Sequence, residues 1–88
     1  ATSPEVLKSY LGTYMTEGPV VTIALGGNDW LTIAAGGQPA MPMRPVSETE
    51  FRVDKGGFRV VFHPEDGRTD KLTMHRGARE FHGTRTAP

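Results

Sequence analysis

At 88 residues the chain is a single domain near the lower end of sizes that fold unaided, so most of its apolar positions must share one core. Ten basic side chains balance ten acidic ones with no long run of either sign, which gives no support to a basic nucleic-acid surface or a polybasic membrane patch. The longest apolar stretch, Val20 to Leu25, falls far short of the roughly 20 residues a membrane-spanning helix needs, and the lack of cysteine removes disulfides, thiolate chemistry and Cys-ligated zinc.

The chain opens on Ala1-Thr2-Ser3-Pro4, with neither an initiator Met nor a signal peptide, and reads as an excised domain or a processed chain. Ser3 then caps a short helix, with Pro4 at its first position, Glu5 at its positive end and Gly12 as its stop. Val6, Leu7 and Tyr10 give that helix an apolar stripe suited to docking on a sheet or a barrel mouth.

Beyond the helix, turn signals recur about every ten residues, at Gly26-Gly27, Gly36-Gly37, Gly56-Gly57, Asp66-Gly67 and Gly77-Ala78. Between them the pattern predicts eight strands, over 12–16, 19–26, 30–35, 40–45, 50–54, 57–63, 70–76 and 79–85. Alternation puts Val21, Ile23 and Leu25 on one face, with Leu31 and Ile33, Phe51 and Val53, Phe58, Val60 and Phe62, Leu72 and Met74, then Phe81. Arg52, Arg59, His63, Thr73, His75, Glu80 and His82 fall on the opposite, wet face. The fold class is therefore all-β: an eight-stranded antiparallel up-and-down barrel, or two packed sheets, with one N-terminal helix. The barrel is preferred because closure leaves no exposed edge, and its bulky inward set predicts a filled interior rather than a large cavity.

Two segments carry a family resemblance. Tyr10-Leu11-Gly12-Thr13-Tyr14 forms a Tyr-x-Gly-x-Tyr motif after the helix, and Met43-Arg44-Pro45-Val46-Ser47-Glu48-Thr49-Glu50-Phe51 reads as apolar-x-Pro-x-Ser-x-Thr-x-Phe. With Val60-Val61-Phe62, Asp66-Gly67 and Leu72-Thr73-Met74-His75 in order behind them, the chain resembles the lipocalin-like β-barrel domain found C-terminal to the catalytic domain in serine β-lactamase-like hydrolases and penicillin-recognising peptidases. That resemblance implies an accessory domain with no active-site residues of its own, packed against a catalytic domain of the same chain and shaping access to its cleft. It also implies a periplasmic or secreted setting. The Ser-x-x-Lys of such hydrolases has no counterpart here, since Val6, Gly12 and Glu50 stand three residues after Ser3, Ser9 and Ser47. Physically, Gly12 admits the chain to its first strand, Pro45 ends a strand, and Ser47 and Thr49 tie down a corner before Phe51.

Candidate chemistry is sparse. A hairpin through Gly77-Ala78 sets His75 opposite Glu80 and Thr73 opposite His82, so His75, His82 and Glu80 cluster on the wet face. They lack the spacing of a metal site and read as solvated polar residues with a surface ion pair. Glu48 with Glu50, and Glu65 with Asp66, have no apolar surroundings to raise one pKa for acid–base work. Gly26-Gly27-Asn28-Asp29 is a hairpin turn, since neither a lysine nor a helix follows it as a phosphate loop requires. No catalytic residue, metal or cofactor is expected. The candidate interaction surface is Trp30 with Met41 and Met43: an outward indole beside flexible methionines either anchors a partner domain or folds over a barrel end as a plug. The reading is thus a non-catalytic accessory domain, with a small-ligand-binding mini-barrel as the alternative.

Overall fold

Eight strands follow one short helix and close into a barrel. The computed structural model describes residues 3–27 and 29–86, so Ala1, Thr2 and Asn28 of the Gly26–Asp29 turn lie outside the described residues. Helix α1 spans Pro4–Ser9; the strands are β1 Gly12–Met15, β2 Val20–Leu25, β3 Leu31–Ala35, β4 Met41–Pro45, β5 Glu50–Val53, β6 Phe58–Glu65, β7 Arg68–Arg76 and β8 Arg79–Arg85. Each pairs antiparallel with its sequence neighbour, and β1 returns to β8 through Tyr14↔Arg85 and Met15↔Thr84, which settles barrel over sandwich.

Alternation drives this closure. Val21, Ile23, Leu31, Ile33, Met43, Phe51, Val53, Val60, Phe62, Leu72 and Met74 are all buried, joined by Leu7, Tyr10 and Tyr14, so the interior is filled by the barrel's own side chains. Leu25, predicted inward, is partly exposed because it ends β2 at the rim. Thr73, predicted on the wet face, is nearly buried, with its hydroxyl 2.7 Å from His63 Nε2.

The turns follow their residues. Asp66 and Gly67 both take positive φ, 54° and 78°, in the two-residue β6–β7 connection, as a type I′ hairpin requires. At the β7–β8 turn Gly77 alone has positive φ, which fits the type II′ geometry expected of Gly77-Ala78. Three boundaries differ from the sequence reading by two residues, one of them the start of β7, at Arg68 rather than at 70. Strand β6 runs past Pro64 to Glu65, because the register shifts between Phe62 and Pro64 and a bulge tolerates a residue without an N–H. The helix ends at Tyr10, in right-handed conformation, two residues before the predicted stop.

Gly12 serves another purpose. Its φ is 142°, and a Cβ there would overlap the Arg85 guanidinium. Arg85 donates from Nη2 to Ser9 O at 2.7 Å and to the Tyr14 hydroxyl at 2.9 Å, from Nη1 to Leu11 O, and from Nε to Thr69 O at 2.8 Å. The same cation lies 5.0 Å from the Tyr14 ring centroid. One side chain therefore fastens the trailing end of α1 across the barrel mouth. Tyr10 completes the plug: its ring stacks on Phe62 at 4.0 Å, meets Phe51 edge-on at 6.1 Å, and its hydroxyl donates to Glu48 O at 2.6 Å. Burial, and then the Glu48 carboxylate, push the Tyr10 phenol above its ordinary pKa, so it stays a donor.

The corner holding Glu48 is built as its residues suggest. Pro45 ends β4, and the Ser47 hydroxyl accepts from Glu50 N at 3.1 Å and Thr49 N at 3.3 Å. Thr49 contributes its carbonyl, which accepts from Phe62 N at 2.8 Å, rather than its hydroxyl. Replacing Arg85 by Met keeps the stem but strands three carbonyls. The expected loss is about 2–4 kcal/mol, read as a lower urea midpoint at unchanged m-value. A midpoint equal to that of the unsubstituted chain would show that the plug does not depend on this fastening.

Candidate functional site

The up-and-down topology gives the barrel two unlike ends. At one, α1 covers the mouth, near the start of β3 and the end of β4. At the other, where β3 ends and β4 begins, no element crosses the opening among the described residues, and Met41, Phe58 and Phe81 are only half-buried. These three, with Met74 at the floor, line a cavity of about 330 Å³ rimmed by Arg76 and Arg79. Phe58 and Phe81 belong to the predicted inward set, whereas Met41 was expected on the interaction surface; all three fall short of full burial because they stand at strand ends around an uncovered mouth. Each rim guanidinium overlies a ring: Arg76 is 5.3 Å from the Phe58 centroid and Arg79 is 5.2 Å from that of Phe81.

The residues singled out from the sequence do not form one surface. Met43 is 3% exposed and belongs to the core. Met41 pairs with Ile33 and lines the open mouth, whereas Trp30 precedes Leu31, the partner of Met43, at the helix-covered end. The indole folds back over the Gly26-Gly27 turn, where a Cβ on either glycine would overlap it, yet it remains 42% exposed. Leu25 and Val46 are exposed at the same end. Helix α1, through Leu7 and Tyr10, is the plug there; Trp30 lies beside it. The methionines mislead because alternation within Met41-Pro42-Met43 places both on the inner face, at different depths.

The histidine cluster forms on the outer face. His75 pairs with Glu80 and Thr73 with His82 in the β7–β8 register, and Glu80 lies 3.6 Å from His75 and 3.0 Å from His82. Glu17, 65 residues away in sequence, was not anticipated: its carboxylate accepts from His82 N at 2.6 Å and lies 3.1 Å from His82 Nδ1. Both ring nitrogens of His82 thus face carboxylates, and no group of these residues has metal-binding geometry among the described residues. Hydrogen bonds to Glu17 and then Glu80 raise the His82 pKa, while backbone N–H donors and His82 hold Glu17 below the ordinary carboxylate value. The arrangement clips the β1–β2 loop to β8. Glu48 and Glu50 stand at the corner beside the plug, and Glu65 and Asp66 at an exposed hairpin tip, with neither pair buried together.

Two outcomes follow from this geometry. His82 binds its proton more readily in the folded state, so its contribution is complete below the ordinary histidine value of about 6.5 and fades as pH rises through the raised one. Glu17 contributes above the ordinary carboxylate value of about 4.3 and fades as pH falls through its lowered one. Glu17→Gln should therefore lower the urea midpoint most between about pH 4.5 and 6.5, less near pH 9 where His82 is neutral, and least in acid where Glu17 is protonated; a pH-independent difference contradicts the clip. Separately, Gly26→Ala should push the indole off the turn and red-shift Trp30 emission with easier acrylamide quenching. An unaltered spectrum would mean the ring does not rest on this backbone.

No family model, curated protein or solved structure matches the chain, so the resemblance rests on its motifs alone, residues 10–14 and 43–51 with 60–62, 66–67 and 72–75 in order behind them.

Proposed function

We propose that this barrel is a non-catalytic accessory domain that packs against the catalytic domain of a serine hydrolase or penicillin-recognising peptidase in the same chain. The carrying observation is the solid interior: a barrel filled by its own side chains meets other molecules through its outer surface and its ends. The motifs behind the resemblance support the same reading, because their residues hold the scaffold together. Tyr10 and Tyr14 anchor the plug, Gly12 makes room for Arg85, and Pro45 and Ser47 shape the corner. The docking face is the helix-covered end, where Trp30, Leu25 and Val46 are large apolar side chains left partly exposed.

A second reading, a mini-barrel that binds a small ligand, is favoured by the opposite end. Its cavity of about 330 Å³ lies at the lower edge of the range typical of small-molecule sites and joins an apolar floor to two cations.

In the protein encoded by the whole reading frame, Trp30→Ala combined with Val46→Ser should release the barrel, seen as faster proteolysis of the connecting segment. Deleting the barrel should alter turnover severalfold. A barrel that tumbles independently there, with turnover unchanged by its deletion, would refute the accessory role.

A further inference from the structure

The inward row of β8 reads Arg79, Phe81, Gly83, Arg85, by the period of two that governs a strand. It therefore places one arginine at each mouth. At the covered end every guanidinium nitrogen of Arg85 has an acceptor, supplied by Ser9, Leu11, Thr69 and Tyr14. At the uncovered end the fold supplies none: among the described residues neither Arg79 nor Arg76 makes a side-chain hydrogen bond or an ion pair.

The two rim arginines also stand directly opposite each other, as the Arg76↔Arg79 pair that closes the β7–β8 hairpin. Like charges so placed repel. Among the described residues no carboxylate lines the mouth to offset them, and the adjacent Glu80 turns to the outer face toward His75 and His82. Beneath the charges lies a floor of Met41, Phe58, Met74 and Phe81, two flexible thioethers and two rings, with no acidic group.

We propose that this mouth binds a small amphipathic monocarboxylate, its hydrocarbon tail on the Met41–Phe58–Met74–Phe81 floor and its carboxylate between Arg76 and Arg79; the proposal rests on the second reading above. The guanidinium fork matches a carboxylate's two coplanar oxygens, and a single negative charge offsets the repulsion of the pair. Size sets the tail. At the roughly 30 Å³ that a water-sized atom group occupies in a liquid, the cavity takes on the order of ten heavy atoms, as in octanoate.

The four methionines supply the test, since Met41 and Met74 line the mouth, Met43 sits in the core toward the other end, and Met15 is exposed on the outer face. In the 88-residue chain labelled with ¹³C at the methionine methyls, octanoate should shift Met41 and Met74 saturably, with Kd of about 1 mM or tighter. Met15 and Met43 should stay in place. 1-Octanol should bind about tenfold more weakly. The double variant Arg76→Gln, Arg79→Gln should weaken octanoate about tenfold while leaving octanol unchanged; both arginines are exposed, and an unmoved Met43 resonance verifies the fold. Equal affinity for octanol and octanoate, or an octanoate affinity indifferent to the double variant, would overturn the carboxylate assignment and leave the mouth a site for neutral ligands. Immobility of Met41 and Met74 with both probes would overturn the assignment and the small-ligand reading together.

Discussion

One permanently charged side chain keeps one end of this barrel shut. Arg85 reaches acceptors on the helix end, on β1 and on β7, which lie as much as 76 residues from it in the chain. Only a planar fork with five donors can serve several acceptors at once without leaving its charge bare; a lysine ammonium has three donors on a single point. The carbonyls at a helix end otherwise need water or a cap, and here the barrel wall provides the cap. Gly12 follows from the same requirement, because any side chain there would occupy the space the guanidinium fills.

The plug in turn organises the neighbouring corner. Tyr10 stacks on Phe62, its hydroxyl holds Glu48 O, and Glu48 lies in the turn that Ser47 shapes before Phe51 enters the core against the same ring. Helix, corner and two strands are thereby fixed by one aromatic cluster. The two segments that prompted the family resemblance are thus two sides of a single contact, which explains why they occur together even though 28 residues separate them in sequence.

Most of the fold could be read from the chain because its signals are local. A period of two marks the inner face, and Asp66-Gly67 and Gly77-Ala78 dictate their turns through the φ values that glycine permits. What escaped detection depends on distant partners. Nothing near Glu17 indicates that it reaches His82, and nothing near Gly12 reveals Arg85 behind it. Pro64 looks like a strand end unless the bulge is known. The three-residue interaction surface failed for a different reason: proximity in sequence between Trp30, Met41 and Met43 says nothing about depth in the barrel, and register puts Met43 inside and Met41 at the far mouth. The open mouth itself was half visible, in Phe58 and Phe81 on the inner face, but which end the helix would cover was not.

The asymmetry of the ends allows the two functional readings to coexist. The exposed Trp30, Leu25 and Val46 lie at the helix-covered end, whereas the arginine-rimmed cavity lies at the other, so a partner seated on the first leaves the second open. A solid interior also limits what that cavity can do. With Met74 as its floor, a ligand enters only to a shallow depth and buries little area, so apolar contact alone supplies modest affinity and little discrimination. On that reading selectivity comes from the rim, where two guanidinium groups with no partner among the described residues face each other over an apolar surface. A deep barrel selects its ligand by shape; a filled one has only the charges at its lip with which to choose.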